Sequence, residues 1–381
     1  MAKRSRRRRK QAVNLPPHVI PGTAPGTLVA DPSAPQPEIT VFAYDDKNIE
    51  EETITDPDKL KSFLNKRSVV WVNIEGLGNV DSIRVIGETF GIHQLALEDV
   101  VSCHQRAKTE MYGENYFLIS HMIELKEELI TEQVSLFVGH GFVVTFQEGP
   151  LDCFETVRDR IRKDLGRIRK AGPDYLAYRL LDAVVDCYFP VLEQYGERLE
   201  NLEDEILEKA DRVTIGKVHD VKRELLVLRR AIWPLREAIG SLMRDSSGIF
   251  TNETLVYLRD CHDHAVQICD FIETSRELCS DLMDFYLSSA SNRLGEGMKL
   301  LTIITTICAP PTVVAGIYGM NFNTEVSPFN MPELNWFLGY PFALCVMVFL
   351  CIVTGVVLQS QGWLNFTNVT KPGGNSGTST K

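Results

Sequence analysis

The residues whose types and spacing are most informative about chemistry are polar ones that lie beside apolar sequence near the C-terminus. The segment Tyr318-Gly319-Met320-Asn321-Phe322 stands between two apolar runs, Leu300–Ile317 and Trp336–Leu358. These runs hold 18 and 23 residues without a charged side chain. At about 1.5 Å per residue, each can cross or nearly cross a hydrocarbon core of roughly 30 Å. The pattern predicts a membrane hairpin with a polar turn, carried by a chain with a large soluble portion.

Small and hydroxyl-bearing residues recur every seven positions along the sequence that leads into the first run. Because a polar seam is costly against lipid, it must face other helices or water. Two interpretations stay open: close packing of two helices through small residues, or a water-filled path surrounded by several copies of the chain, since two spans cannot enclose a pore. The repeat has two such positions, each occupied by residues spaced seven apart. The first series is Asp284, Ser291, Met298, Thr305, Thr312 and Gly319, and the second is Ser288, Gly295, Thr302, Ala309 and Gly316.

Upstream sequence must position this hairpin. Between about 38 and 150, runs rich in β-branched and aromatic residues alternate with helical periodicity at 79–90 and 93–102, which predicts an α/β domain with a mixed sheet. The predicted strands are Ile39–Tyr44, Val69–Ile74, Tyr116–Ile123, Val134–Val138 and Phe142–Phe146. From about 151 the pattern is helical. It predicts one helix from Pro173 to about 209, a second from about 212 to 245, and a third that starts near Asn252 as its N-cap and continues into the first run. A helix of some 60 residues would be about 90 Å long.

The predicted fold class is an α+β membrane protein. We divide the chain into a disordered basic and Pro-rich arm (1–37), a cytosolic α/β domain (38–172), long cytosolic helices including a stalk (173–299), a transmembrane hairpin (300–358) and a flexible tail (359–381). Pro310 and Pro311 predict a local kink in the first span that frees backbone carbonyls one turn earlier.

Charge and cysteine usage narrow the class of protein. The formal net charge is −11, although seven of the eight residues from Lys3 to Lys10 are basic. An acidic body argues against nucleic acid as a partner and is compatible with cations. The nine cysteines contain no C-x-x-C pair, which favours reduced thiols facing a cytosol. The common nucleotide, hydrolase and zinc-protease motifs are also missing, so we do not expect an enzyme.

The distribution of basic residues predicts the membrane topology. Arg293 and Lys299 precede the first span, whereas the connecting loop at about 318–335 contains no Lys or Arg. Positive residues remain on the cytoplasmic side. We therefore expect a multi-pass protein of the inner or plasma membrane, with its loop outside and both termini cytoplasmic.

Six short segments carry motifs that occur together in one known family. They are Tyr318-Gly319-Met320-Asn321, Met331-Pro332-Glu333-Leu334, Leu97-Glu98-Asp99, His104-Gln105-Arg106, Ile232-Trp233-Pro234-Leu235-Arg236-Glu237 and Tyr286-Leu287-Ser288-Ser289. Over about 38–358 the chain resembles the CorA-type magnesium transporters of the two-transmembrane Gly-Met-Asn superfamily. This resemblance implies a funnel-shaped homopentamer, with a central pore from the first span and an outer ring from the second. It also implies passive uptake of Mg²⁺, often with Co²⁺ or Ni²⁺, and no organic cofactor.

The resemblance also assigns roles in the membrane. The selectivity filter would be Tyr318, Gly319, Met320 and Asn321. Neutral Asn321 oxygens can hold hydrated Mg²⁺ by hydrogen bonds without stripping its waters, and Gly319 carbonyls would support the same shell. Gly295 and Ala309 depart from the Asn and Met that relatives carry, and the basic cluster typical of the family's C-terminus is missing. The pore-lining residues would be Asp284, Ser291, Gly295, Met298, Leu301, Thr305, Ala309 and Thr312, with an acidic ring at Asp284 and a constriction at Met298 and Leu301.

Regulation by intracellular Mg²⁺ is implied in the same way. Asp99 and Asp260 would bridge neighbouring cytosolic domains through the ion, with Glu98, Asp182 and Asp263 nearby. Mg²⁺ would then be both cargo and regulator. Two alternatives remain: a transporter of Zn²⁺ or another transition metal on the same scaffold, and a membrane-anchored sensor or scaffold that conducts nothing.

Overall fold

The N-terminal part of the chain forms a mixed sheet, as predicted, and this sheet has seven strands rather than the five expected. The computed structural model describes residues 24–363 except 32, 65, 210, 245–246, 322, 324–326 and 328. In the sheet order β2-β1-β3-β7-β6-β5-β4, only the β3–β7 pair is parallel. The strands are β1 (Glu38–Tyr44), β2 (Ile49–Ile54), β3 (Val69–Glu75), β4 (Lys108–Tyr112), β5 (Asn115–Leu125), β6 (Leu129–Gly139) and β7 (Phe142–Gln147).

The two strands that the sequence did not predict, β2 and β4, are the edges of this sheet. Glu50, Glu51 and Glu52 fill the middle of β2, and Lys108 opens β4. Charged residues are common on edge strands because they discourage pairing with another chain. The same charges hide the apolar alternation by which a strand is recognised.

Helices cover both faces of the sheet. α1 (Val80–Phe90) and α2 (Gln94–Val101) pack on one face, where Val72, Ile86 and Leu97 belong to a single buried cluster. On the other face, the buried Trp71 stacks on Phe42 at 5.1 Å and meets Phe154 edge-on at 6.0 Å. The Trp71 indole N–H donates to Thr145 Oγ1 at 3.0 Å, so this large side chain is buried with its polar atom satisfied.

The chain is packed against this domain before residue 38. The Gly26 N–H donates to Glu98 Oε2 at 2.7 Å, and the Gly78 N–H donates to the Pro35 carbonyl at 2.8 Å. A disordered arm reaching to residue 37 is therefore wrong for residues 24–31 and 33–37, and the first 23 residues lie outside the described part. The predicted flexible tail beyond residue 363 also lies outside it.

The helical region differs from the prediction at one point. The single helix predicted from Pro173 to about 209 is two helices, separated at Cys187. Pro190 explains the break, because proline has no N–H for the carbonyl four residues earlier, that of Asp186, and its ring clashes with that carbonyl. The helices here are α3 (Glu155–Arg162), α4 (Pro173–Asp186), α5 (Tyr188–Lys209) and α6 (Arg212–Arg244).

α7 (Asn252–Tyr318) begins and continues as predicted, but its cap is Thr251 rather than Asn252. The Thr254 N–H donates to Thr251 Oγ1 at 3.3 Å. The buried Asp174 carboxylate then accepts the Thr251 N–H at 3.1 Å and the Thr254 hydroxyl at 2.7 Å. A carboxylate at this position satisfies free donors at the helix N-terminus and complements its dipole.

The chain divides into two compact units, one ending at Met283 and the other beginning at Asp284. In the second unit, the last part of α7 packs with α8 (Gly339–Ser360). Both helices are long and apolar enough to cross a membrane.

α7 is helical through Pro310 and Pro311. Pro311 cannot bond the Ile307 carbonyl, and the Cys351 thiol of α8 donates to that oxygen at 3.8 Å, so the freed carbonyl has a partner.

Candidate ion path and metal centre

The predicted stripe lies on the side of α7 opposite to the side that packs on α8. Ile303 is 5% exposed and Ile307 contacts Cys351. At 3.6 residues per turn, Thr305 and Thr312 point the other way. All predicted pore-lining residues are exposed in the part of the chain that the structure describes. They are Asp284, Ser291, Gly295, Met298, Leu301, Thr305, Ala309 and Thr312.

The threonine hydroxyls of α7 have a defined orientation. The Oγ1 of Thr305 donates to the Leu301 carbonyl at 2.8 Å, and that of Thr312 donates to the Cys308 carbonyl at 2.7 Å. Thr302 makes the same bond to Met298 at 2.8 Å. Because each hydroxyl proton is used within the helix, the oxygen presents lone pairs outward. Such oxygens can accept hydrogen bonds from the water shell of a cation.

The predicted filter stands where α7 ends. The Gly319 N–H donates to the Ala315 carbonyl at 2.9 Å, and the Met320 N–H donates to the Ile317 carbonyl at 3.1 Å. Helical hydrogen bonding therefore continues past Tyr318, and Asn321 is exposed just beyond it. A Cβ on Gly319 would lie 3.2 Å from the Ala315 oxygen, so this turn accommodates glycine best. Phe322 lies outside the described residues.

Three ligand atoms converge in the first unit. Oxygens of Asp182 and Asp186, one turn apart on α4, and a ring nitrogen of His264 on α7 all lie within 4.8 Å of one another. We call these three residues the α4–α7 cluster. Asp182 is 6% exposed, and the Arg179 guanidinium donates to it at 2.7 Å. Burial, followed by the neighbouring Asp186 and Asp260 carboxylates, raises the pKa of Asp182. A cation would relieve this crowding of negative charge.

The donor set of this cluster fits a divalent metal. Carboxylate oxygens are the protein ligands that Mg²⁺ takes, and an imidazole nitrogen adds preference for transition metals such as Co²⁺ or Ni²⁺. Within the described residues no other group of three or more His, Cys, Asp or Glu side chains meets in this way.

The remaining predicted regulatory residues do not join the cluster within one chain. Asp99 Oδ2 lies 2.8 Å from Lys108 Nζ, and Glu98 accepts the Gly26 N–H. Asp260 and Asp263 are exposed on α7, with Asp260 close enough to influence the pKa of Asp182. The bridge between Asp99 and Asp260 of neighbouring subunits stays a prediction.

Two members of the cluster, Asp186 and His264, were missed as metal ligands. His264 belongs to a short run of acids and histidines that the sequence marks out, but neighbouring helix positions point apart and cannot form a site alone. The spacing of Asp182 and Asp186 puts both on one helix face. The sequence alone does not show that this face of α4 packs against α7 at His264.

Comparisons with known proteins address the family and the fold of the chain. The family model described as CorA-like Mg²⁺ transporter protein matches residues 66–359. The cobalt/magnesium transport protein CorA of Thermotoga maritima is 43% identical over 347 residues, covering 90% of this chain and 97% of that protein.

Two solved structures share the fold. The complete CorA magnesium transporter from Methanocaldococcus jannaschii superposes with a TM-score of 0.73 at 21% identity, covering 86% of this chain and 98% of its own. The cytoplasmic domain of ZntB from Vibrio parahaemolyticus gives 0.56 at 15% identity, over 67% of this chain and 98% of its own.

The family match extends over most of the chain, from β3 to the end of α8, and confirms that the protein is a transporter rather than an enzyme. The chain has an N-terminal α/β domain, a long helix whose last part is one candidate membrane span, and a second candidate span in α8. It belongs to the CorA-like Mg²⁺ transporter family.

Proposed function

We propose that this protein is a homopentameric channel for passive uptake of Mg²⁺, and of Co²⁺ or Ni²⁺, across the inner or plasma membrane. The observation that carries the proposal is the exposed stripe of small and hydroxyl-bearing residues on α7, which lies opposite α8 and ends at Tyr318–Asn321. The name and 43% identity of the Thermotoga maritima relative support magnesium and cobalt as cargo.

Several copies of α7 are needed for such a path. A stripe with Thr305 and Thr312 exposed to hydrocarbon would be unfavourable. On the other side of the helix, Ile307 contacts α8 through Cys351. Copies of α7 arranged around an axis would turn the hydroxyl oxygens of Thr305 and Thr312 toward water. A fully hydrated Mg²⁺ donates hydrogen bonds from its waters in all directions, so neutral acceptors stabilise it without dehydration. A membrane anchor alone has no need of this stripe.

The driving force is the membrane potential. A divalent ion gains about 4.6 kcal/mol per 100 mV, because each charge gains about 2.3 kcal/mol. At about 1.4 kcal/mol per tenfold ratio, this accumulates the ion more than a thousandfold. With both termini cytoplasmic, Asn321 would meet the ion first from outside. Met298 and Leu301 would form an apolar constriction that closes by losing its water.

Closure would depend on cytosolic metal. Mg²⁺ held by Asp99 of one subunit and Asp260 of the next would hold the cytosolic domains together, with Glu98, Asp182 and Asp263 nearby. When the ion leaves, repulsion between these carboxylates would separate the domains. The α4–α7 cluster adds Asp186 and His264 to this region.

The experiment is dye-reported Mg²⁺ flux into proteoliposomes, with oligomeric state measured by native mass spectrometry. Asn321→Ala should abolish flux and keep the pentamer, whereas Asn335→Ala, an exposed amide of the same loop, should leave both unchanged. Full flux in Asn321→Ala, or a monomer in bilayers, would contradict the pore. Neutralising Asp99 and Asp260 together should give flux that persists at high internal Mg²⁺, and unchanged inhibition would reject the bridge.

A Zn²⁺ transporter on the same scaffold is the second candidate, favoured only by the imidazole of His264 in the α4–α7 cluster. Flux of Mg²⁺ in competition with Zn²⁺ decides between the two. The magnesium proposal expects Mg²⁺ to pass at millimolar concentration when Zn²⁺ is absent.

A further inference from the structure

A cavity in the first unit has a lining that the transport function does not use. It measures about 690 Å³ and lies between α6, the loop that precedes β4, and residues of β5 and β6. Two of the segments that carried the family resemblance, His104-Gln105-Arg106 and the Trp233-Pro234 pair, are far apart in the sequence and meet here. The side chains that matter for the argument are His104, Arg106, His121, Arg229, Arg230 and Trp233.

The charge of the lining is unusual for this chain. The chain as a whole carries a net charge of −11, yet the residues that line the cavity include three arginines, two histidines and no carboxylate. Arg229 pairs with Glu273, which lies outside the lining. Arg106 and Arg230 are exposed and form no hydrogen bond or ion pair with any described residue. Two guanidiniums are therefore available to an anion.

The cationic wall is held in place. The Gln105 N–H donates to the buried Gln133 Oε1 at 3.0 Å, and Gln133 Nε2 donates to the Asp99 carbonyl at 2.9 Å. The loop that carries Arg106 is thus tied to β6 and to the end of α2. On α6, the guanidinium of Arg229 lies 5.1 Å from the centre of the Trp233 ring, an attractive cation–π arrangement. The backbone beside Arg106 and the side chain of Arg229 are therefore held in place, so fewer groups must be ordered when an anion binds.

One polar atom faces this region without a partner. Nδ1 of His121, on β5, is buried and makes no hydrogen bond with the described residues. Burial, followed by the neighbouring His104, lowers the pKa of His121 to about 4. The ring is therefore neutral at pH 7, and can donate one hydrogen bond and accept another.

Apart from Gln105 and Thr131, the rest of the wall is apolar. Leu226, Val227, Ala231 and Pro234 line it from α6. A site that combines guanidiniums with an apolar wall suits a molecule with an anionic end and an apolar body. The volume lies within the range of about 300–1,000 Å³ that small-molecule sites occupy, which is more than inorganic phosphate requires.

We propose that this cavity binds a small phosphorylated molecule of nucleotide size, with its phosphates against Arg106 and Arg230 and its base against α6. The site does not depend on the proposed pore. It also differs from a P-loop, because guanidiniums rather than backbone N–H groups would hold the phosphates.

The test is isothermal titration calorimetry on the full chain in lipid nanodiscs, in Mg²⁺-free buffer. The probes are ATP, tripolyphosphate and adenosine. We expect ATP to bind and Arg106→Ala and Arg230→Ala each to weaken it about tenfold, since each removes a charge-assisted hydrogen bond. Arg223→Ala is the matched control, because Arg223 is an exposed residue of α6 outside the lining.

The outcomes separate the parts of the proposal. Tripolyphosphate binding more weakly than ATP, with adenosine weaker still, supports a site that uses both ends of the nucleotide. Equal binding of tripolyphosphate and ATP overturns the role of the apolar wall. Undetectable ATP binding at 10 mM, or equal ATP affinity in the Arg106→Ala and Arg223→Ala variants, overturns the site. Since binding is measured without transport, a failed flux experiment leaves this result intact.

Discussion

Lys108 Nζ lies 2.8 Å from Asp99 Oδ2, so the carboxylate proposed to bridge subunits through Mg²⁺ already has a cationic partner in its own chain. Lys108 also contacts Glu110 at 2.9 Å. The Asp99 side chain is 17% exposed, which makes this a partly buried ion pair. A metal ion that binds Asp99 must compete with the ammonium group. If Asp99 binds Mg²⁺ as proposed, Lys108 would therefore influence the Mg²⁺ concentration at which this carboxylate changes partner.

Lys108→Gln is expected to make inhibition by internal Mg²⁺ more sensitive. Removing a competing cation worth about 1 kcal/mol lowers the half-inhibitory concentration about fivefold. The measurement is Mg²⁺ flux into proteoliposomes at graded internal Mg²⁺. Lys126→Gln is the control, since Lys126 forms a more exposed pair with Glu124. An unchanged or higher half-inhibitory concentration in Lys108→Gln would show that the pair does not compete with metal.

Thr305→Val should reduce Mg²⁺ flux at least about fivefold without loss of assembly. Valine keeps the shape of threonine but removes the oxygen that accepts hydrogen bonds from the hydrated ion. Thr354 on α8 makes the same bond to a carbonyl four residues earlier, at 2.8 Å, so Thr354→Val is a matched control that should keep wild-type flux. Equal flux in the two variants would place the ion path away from this face of α7.

Gly319→Ala should impair the filter while α7 stays folded. The new Cβ would approach the Ala315 oxygen to 3.2 Å and the Gly316 oxygen to 3.5 Å. Alanine favours helix over glycine by about 1 kcal/mol, so any loss of flux reflects geometry at the turn rather than unfolding. We expect at least about a fivefold decrease, by flux assay. Gly297→Ala, where a Cβ meets nothing within 4 Å, should behave as wild type.

His264→Ala should separate cobalt from magnesium at the α4–α7 cluster. An imidazole nitrogen adds affinity for Co²⁺ but contributes little to Mg²⁺, which prefers oxygen. Calorimetry should show Co²⁺ binding weakened about tenfold and Mg²⁺ binding changed less than about twofold. His262→Ala, two residues away and paired with Asp263 at 3.7 Å, is the control. Equal weakening of both metals would mean that His264 acts only through folding.

His121 should make stability depend on pH. Its pKa falls from an ordinary value of 6.5 to about 4 in the folded protein, through burial and then His104. Between those pH values the unfolded chain binds more protons, so the free energy of unfolding decreases as pH falls from 6.5 to 4. The loss is about 1–3 kcal/mol. Thermal unfolding of the solubilised chain should show a smaller loss in His121→Gln than in His140→Gln, whose histidine is exposed.

Local patterns predicted much of this fold. The strands from β1 to β7 that lie inside the sheet and the helices α1, α2, α6 and α7 follow from periodicity within single segments. The break at Cys187 was missed because the helical pattern continues on both sides of it, although Pro190 supplies its physical cause. The edge strands β2 and β4 were missed because their charged residues carry no apolar alternation.

The membrane part was determined by the sequence itself. Length, lack of charge and a seven-residue repeat are properties of one continuous segment, so the spans, the stripe from Asp284 to Gly319 and the turn at Asn321 can be read without a fold. The α4–α7 cluster and the arginine-lined cavity are different. Asp182 meets His264, and Arg106 and Arg230 line one cavity, only because distant segments pack together in the fold. Such contacts depend on the packing of whole faces, and only the tertiary structure decides them.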